Sequence, residues 1–338
     1  MSKVLLTGAT GFIAVHVLKL LLSKGYTVRA TVRSAGKSAF LRDKFATTKL
    51  SFAIVPDIAL PGAFDDAVKD MDYVVHTASP FKSVVNDNLQ DLLIPAVNGT
   101  KGVLESVQKY APTVKQVVVT SSFAAVFNGP LSFRGLNARS ESDWNNITWE
   151  QALEADNRVA YRASKKFAES AVWDFVKEQN PNFSVTVLNP PLVWGPMEHE
   201  VSLATLNTSN SYIYNLLQDP VNPDPSLIFA FVDVRDLAEA HVAAIGNPKA
   251  SNQRIIVSGG YYTYAAMIGI LQKYNDQGEE YAVGPDDSAE WCKEANENGG
   301  IDSTKAKDLL GLKFRSFKDA LVDTARQLKE MIKTESQA

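Results

Sequence analysis

A single cysteine, Cys292, occurs in 338 residues, so the fold has neither an internal disulfide nor a thiolate cage for a metal. Histidine is almost as scarce. His16, His76, His199 and His241 are scattered, and no two fall at the His-x-x-x-His spacing of a metal site. No apolar run approaches the roughly eighteen residues that a membrane span needs. Basic residues number 34 against 38 acidic ones, a net charge of −4, and no dense Lys/Arg run exists. Nucleic acid and anionic membrane are therefore excluded as expected partners. There is no Gly-x-Ser-x-Gly turn, which argues against a serine hydrolase. The opening Met1-Ser2-Lys3-Val4-Leu5-Leu6 runs straight into an apolar stretch without a secretory pattern, and the last residues carry no lipidation signal. The expected location is the cytoplasm.

What is present is a strand–helix rhythm. Val4–Thr7, Thr27–Val32, Ser51–Val55, Tyr73–His76, Gln116–Thr120 and Ser184–Leu188 read as strands. Between them, Gly11–Leu22, Lys37–Phe45, Ala63–Val68, Asp87–Tyr110 and Asn157–Gln179 read as helices. Strands without polar alternation, joined by helices, predict an α/β fold: a Rossmann-type doubly wound parallel sheet covered on both faces. After Asn189-Pro190-Pro191 the rhythm breaks. Pro and Asn cluster between Gly195 and Pro225, predicting loop with one helix near Tyr212–Leu217. Val234–Ile245 and Arg254–Val257 read as a helix and a last sheet strand, and the chain from Tyr264 is mostly helical and charged. The expected organisation is a nucleotide-binding domain over 1–190 with a returning segment at about 230–258. A smaller, interleaved substrate lobe takes 191–229 and 259–338.

Gly8-Ala9-Thr10-Gly11-Phe12-Ile13-Ala14 joins the first strand to the first helix. Glycines there permit a tight turn and let backbone N–H groups reach a pyrophosphate at the helix N-terminus; Ala14 still allows close helix–sheet packing. The second strand ends in Thr31-Val32-Arg33-Ser34, with Lys37 four residues past Arg33. An NAD site usually places a carboxylate here. Two cations instead suit the 2′-phosphate of NADPH, the alternative being a solvated surface pair. Asp57-Ile58, after the third strand, either receives the adenine amino group and packs on the base, or merely caps a turn.

Tyr161 and Lys165 are four residues apart in a predicted helix, hence on one face. An ammonium beside a phenol favours the phenolate and so eases proton release. About forty residues earlier, Thr120-Ser121-Ser122 closes the fifth strand, where Ser122 can donate a hydrogen bond to a substrate oxygen. Chance alone readily places a Tyr-x-x-x-Lys pair in a chain with 11 tyrosines. The ordered succession of glycine turn, basic second strand, strand-end serine and Tyr/Lys helix predicts a carbonyl reductase acting on a small molecule with a nicotinamide cofactor. His76, within an apolar run, reads as a packed residue.

These residues resemble the extended short-chain dehydrogenase/reductase superfamily over essentially the whole chain. Within it they are similar to the fungal NADPH-dependent methylglyoxal and isovaleraldehyde reductases, cousins of the dihydroflavonol and cinnamoyl-CoA reductases. The blocks that match are Thr7–Ile13, His76-Thr77-Ala78-Ser79-Pro80-Phe81, Leu92–Thr100, Thr120–Phe127, Tyr161–Glu169, Asn189–Pro196, Leu206–Ser209 and Val232–Asp236. The resemblance implies a catalytic triad of Ser122, Tyr161 and Lys165. It implies that Gly8, Ala9, Thr10, Gly11, Phe12, Ile13, Arg33, Lys37, Asp57 and Ile58 hold the adenine half of NADPH. Thr77, Ala78, Ser79, Thr120, Pro190, Val193 and Ser209 match further cofactor positions. Asn98 matches a helix position that supports a water chain to the lysine, or is simply bonded to backbone. Phe81, Phe123, Val126, Phe127, Leu192, Trp194 and Tyr214 match the apolar substrate pocket, although several of them equally suit core. Leu192 stands where relatives often have an aromatic, and Asn128–Asp143 also departs from the pattern, which leaves the substrate range open. No metal is expected, and the chain is expected to act as a monomer or homodimer. The competing readings are a nucleotide-sugar epimerase or dehydratase, which shares the Tyr/Lys pair, and a cofactor-sensing protein without catalysis.

Overall fold

The computed structural model describes residues 2–80, 85–129, 139–218, 228–284, 293 and 300–337. The apolar runs form seven parallel strands: β1 (Lys3–Thr7), β2 (Thr27–Val32), β3 (Leu50–Ile54), β4 (Tyr73–His76), β5 (Gln116–Thr120), β6 (Ser184–Asn189) and β9 (Gln253–Ile256). Their order is β3-β2-β1-β4-β5-β6-β9, all parallel. The central strands are buried on both faces, as such uniformly apolar sequences require. Helices α1 (Phe12–Ser23) and α7 (Val234–Ala244) cover one face around Val15, Leu18 and Leu237. Helices α3 (Ile94–Tyr110) and α5 (Asn157–Gln179) cover the other around Val103, Val107 and Val172. The strand order reverses between β1 and β4, which opens a crevice at their C-terminal ends, where such sheets take ligands.

A second sheet, ordered β10-β8-β7, consists of β7 (Leu192–Trp194), β8 (Ile228–Asp233) and β10 (Gly260–Thr263). Helices α6 (Thr208–Gln218) and α8 (Tyr264–Gln277) and the C-terminal helix Phe317–Glu335 pack on it. An aromatic cluster holds this lobe together. The rings of Tyr262 and Phe317 stack at 4.5 Å, with Trp194 edge-on to both.

Two local expectations are corrected. Ala63–Val68 forms turns rather than a helix, because six residues are too few to offset the cost of nucleating one without a cap. The three strands of the small sheet were not expected. β7 and β10 are short, and each pairs with β8 only across a long intervening stretch, so no local period announces the sheet. The large sheet is re-entered through α7 and β9, while β8, within the same returning stretch, pairs in the small sheet. The helix Thr304–Leu310 packs back on α7 and β9. Among the described residues no helix is long and apolar enough to cross a membrane, and no three His, Cys, Asp or Glu side chains are grouped to hold a metal.

Candidate active site

The turn after β1 is built around Gly8, whose φ is +66°. A Cβ there would lie 2.9 Å from the backbone Cα of Ala78, so both the conformation and the close approach require glycine. Thr31, at the end of β2, secures the turn: its Oγ1 accepts from Gly8 N at 3.0 Å and its carbonyl from Ala9 N at 3.1 Å. Gly11 caps α1 in extended geometry without a side-chain cap, leaving the first N–H groups of that helix for an anion. The Ala9 and Ala14 side chains are buried against the sheet, while half-buried Phe12 turns its ring toward His199 of the second lobe. Ion pairs from Lys19 and Lys44 to Glu198, at 2.6 and 2.5 Å, tie the stretch before His199 to α1 and to the helix Ala39–Phe45.

From this turn runs a cleft of about 770 Å³. Its walls include Gly8, Thr10 and Gly11, then Arg33, Lys37, Asp57 and Ile58, and on the far side Thr77, Ala78 and Ser79. Arg33 is exposed and makes no ion pair among the described residues. Lys37 Nζ lies 3.5 Å from the Glu200 carboxylate, an exposed and therefore weak pair. Asp57 caps the turn, its Oδ1 accepting from Ala59 N at 2.9 Å, and the residue also lines the cleft. Ile58 presses on α3 at Gly99, where a Cβ would stand 3.1 Å from its methyl carbon. This cradle, with its uncapped helix end and free guanidinium, fits a dinucleotide carrying an extra phosphate.

Beside the Ser79 wall of the cleft stands α5. Asp156 caps it by accepting from the N–H groups of Arg158 and Val159. One turn in, Tyr161 is 43% exposed, high for so large a ring. Lys165 Nζ lies 5.3 Å from the centre of that ring and donates to Ser79 Oγ at 2.7 Å. The Tyr/Lys face is thus joined to the cleft wall. Ser122 lies just beyond β5, and its Oγ accepts from Ala124 N at 3.1 Å, capping a 3-10 turn over Phe123–Ala125. Its hydroxyl proton remains to be given elsewhere. Asn98 is exposed on α3.

Several expected site residues have other surroundings. Trp194 and Val126, each 1% exposed, are core: Trp194 lies in the aromatic cluster, and Val126 and Phe123 pack with Ala230, Ile256 and Tyr261 between the sheets. Their apolar character read equally well as pocket, and only burial separates the two. Phe127, Leu192 and Tyr214 are half-buried, while Phe81 lies outside the described residues. Pro190 is buried, its carbonyl accepting from Phe123 N at 2.8 Å. Ser209 Oγ donates to the Val193 carbonyl at 2.5 Å.

The Thr120 hydroxyl is committed to His241 at 2.6 Å rather than to the cleft. Since His241 Nδ1 faces the Leu237 carbonyl at 2.7 Å, it carries the proton, and Nε2 accepts from Thr120. His76 Nδ1 meets Thr7 Oγ1 at 2.9 Å, linking the ends of β4 and β1 where the crevice opens. Burial lowers both histidines from 6.5 to about 4, with the Lys165 charge adding to the effect at His76. Native His76 and His241 are therefore neutral, whereas the unfolded chain protonates them at about 6.5. Stability is complete above that pH and is lost as pH falls toward 4. Between pH 7 and 5 each histidine is expected to cost about 2 kcal/mol. His241→Gln, which can replace both hydrogen bonds, is expected to flatten the slope of urea-unfolding free energy against pH; an unchanged slope would show that His241 does not titrate on unfolding.

The family model described as "NAD dependent epimerase/dehydratase family" matches residues 4–259. The chain is 39% identical over 337 residues to the NADPH-dependent methylglyoxal reductase GRE2 of Saccharomyces cerevisiae, covering 96% of this chain and 98% of that one. It is 38% identical over 342 residues to the ketoreductase azaE of Aspergillus niger, covering 97% and 98%. Among solved structures, yeast methylglyoxal/isovaleraldehyde reductase Gre2 complexed with NADPH superposes with a TM-score of 0.87 at 38% identity, covering 99% of this chain and 100% of that one. The matched span takes in the glycine turn, Ser122 and the Tyr161–Lys165 face together, and the chain belongs to the NAD dependent epimerase/dehydratase family, as an extended short-chain dehydrogenase/reductase.

Proposed function

We propose that this chain is an NADPH-dependent reductase of aldehydes and ketones. The observation that carries the reading is the exposed Tyr161 hydroxyl-bearing ring beside Lys165, whose ammonium is already hydrogen-bonded to Ser79 on the wall of the dinucleotide cleft. NADPH, when bound, supplies the hydride. Tyr161 gives its proton to the carbonyl oxygen as that oxygen gains charge, and the Lys165 ammonium stabilises the phenolate left behind. Ser122 holds the same oxygen through its free hydroxyl proton. With NADPH bound, Lys165 would also be placed to hold the ribose hydroxyls, in place of Ser79. Phe127, Leu192 and Tyr214 supply apolar wall for the substrate, a surface suited to small aliphatic and aryl carbonyls rather than to a nucleotide sugar. The relatives named for methylglyoxal, isovaleraldehyde and keto substrates support this class. The enzyme works as a monomer or homodimer in the cytoplasm.

NADPH oxidation with methylglyoxal, isovaleraldehyde, an aryl ketone, a β-keto ester and a dihydroflavonol tests the reading. Turnover of one or more is expected; a flat result across the panel, with tightly held NAD in the purified protein, would return the epimerase reading. Arg33→Ala is expected to raise KM for NADPH by about thirtyfold, the equivalent of a ~2 kcal/mol charge-assisted phosphate contact, while leaving KM for NADH within about twofold. Equal changes for the two cofactors would remove Arg33 from the 2′-phosphate.

A further inference from the structure

Glu169 is 1% exposed, a carboxylate buried on α5 one turn past Lys165 and two past Tyr161. A buried charge needs donors on every side, and Glu169 has them. Its Oε2 accepts from Ser121 Oγ and from Asn189 Nδ2, each at 2.5 Å. Its Oε1 accepts from Arg254 Nε and, at 3.4 Å, from Trp173 Nε1. These donors are not scattered core groups. Ser121 is the neighbour of Ser122, and the Asn189 amide that reaches Glu169 also donates to the Ser122 carbonyl at 3.1 Å. Arg254 Nη1 donates to the carbonyls of Glu141 and Asp143, at 2.6 and 2.8 Å. Two residues further on, Asn145 returns to the same turn, donating from its backbone to Ala125 O and from its side chain to Ala124 O, both at 2.9 Å. Ser121 and Asn189 thus join the Ser122 turn directly to this carboxylate, while Lys166 and Arg162 make separate bonds from α5 to the Ile147 and Gly129 carbonyls, further along the chain.

A buried ion pair is weak support for stability, since desolvation offsets its attraction; what it does well is hold one geometry. We propose, on the reading that Ser122 and Tyr161 share the substrate oxygen, that Glu169 is a positioning residue that fixes the Ser122 turn against the Tyr161–Lys165 helix. The glycine turn, Arg33 and Asp57 lie on other strands and do not depend on it.

Glu169→Gln removes the charge but keeps the shape. Its expected effect is a kcat at least tenfold lower, with the NADPH dissociation constant, read by fluorescence titration, within twofold of wild type. The decisive measurement is the same change in a Ser122→Ala background, compared per NADPH-binding site. If Glu169 acts through Ser122, the second substitution costs less than a further twofold; a full tenfold loss on top of Ser122→Ala overturns the proposal, as does an unchanged kcat in the single variant. Should Glu169→Gln fail to fold, Ser121→Ala carries the test: at least threefold lower kcat, vanishing in the Ser122→Ala background, and overturned by additivity or by no loss. Unchanged turnover in Ser122→Ala alone would instead remove Ser122 from the chemistry, and the role of Glu169 with it. That failure is separate from one in which Ser122 matters and Glu169 does not.

Discussion

Tyr161→Phe is expected to lower kcat by about a thousandfold, within the range that a positioned general acid contributes. That is roughly 4 kcal/mol of barrier. The substitution deletes one oxygen from a ring that is 43% exposed and buries nothing in the core, so the fold has little to lose. The Lys165 ammonium, the glycine turn and Arg33 are all retained, so NADPH is expected to bind within about twofold of wild type. Pre-steady-state mixing separates the steps: NADPH fluorescence should change as in wild type on binding, while single-turnover oxidation slows by the full factor. A variant that turns over within tenfold of wild type would mean that water or Ser122 brings the proton, and the Tyr161 assignment would fall. A variant that loses NADPH affinity equally would instead assign Tyr161 a binding role.

The two halves of the site were legible in the sequence to different degrees, for physical reasons. The cofactor half depends on short-range constraints. A glycine at φ +66° between a strand and a helix, and cations at the end of the next strand, are local features that a few consecutive residues declare. The same holds for Tyr161 and Lys165, which one helix places together, so α5 was foreseen with the bounds it has. The substrate half depends on pairings between distant segments. β7 finds β8 only after thirty-three intervening residues, and with three residues β7 is too short to show alternation. Trp194 and Val126 match pocket positions by resemblance and suit core equally, since nothing local tells an aromatic or aliphatic side chain which sheet will cover it. Glu169 sat in plain view at the next turn after Lys165, on a helix whose face was already known. Its partner Arg254 is 85 residues away, and that pairing exists only once β9 has come back to β6.

Gly8→Ala is expected to weaken NADPH binding by at least a hundredfold, about 2.7 kcal/mol, for a reason that a second glycine isolates. Two penalties fall on alanine at position 8. The first is conformational: φ of +66° costs an L-residue roughly 1–2 kcal/mol. The second is steric: the new methyl lies 2.9 Å from Ala78 Cα, and the atom that must yield is backbone at the end of β4 rather than the tip of a flexible side chain. Relief requires the turn to part from β4, which shifts the uncapped end of α1 and the Thr77–Ser79 wall apart across the cleft, along with the Ser79 hydroxyl that meets Lys165. Gly311 has φ +67° and nothing within 4 Å of its would-be Cβ, so Gly311→Ala carries the first penalty alone. Both variants should lose stability in urea by comparable conformational amounts, with Gly8→Ala losing more. Only Gly8→Ala should lose NADPH, as measured by calorimetry at one temperature. Tight NADPH binding by Gly8→Ala would mean that the turn relaxes away from the cleft, and that the pyrophosphate rests elsewhere than on the N-terminus of α1.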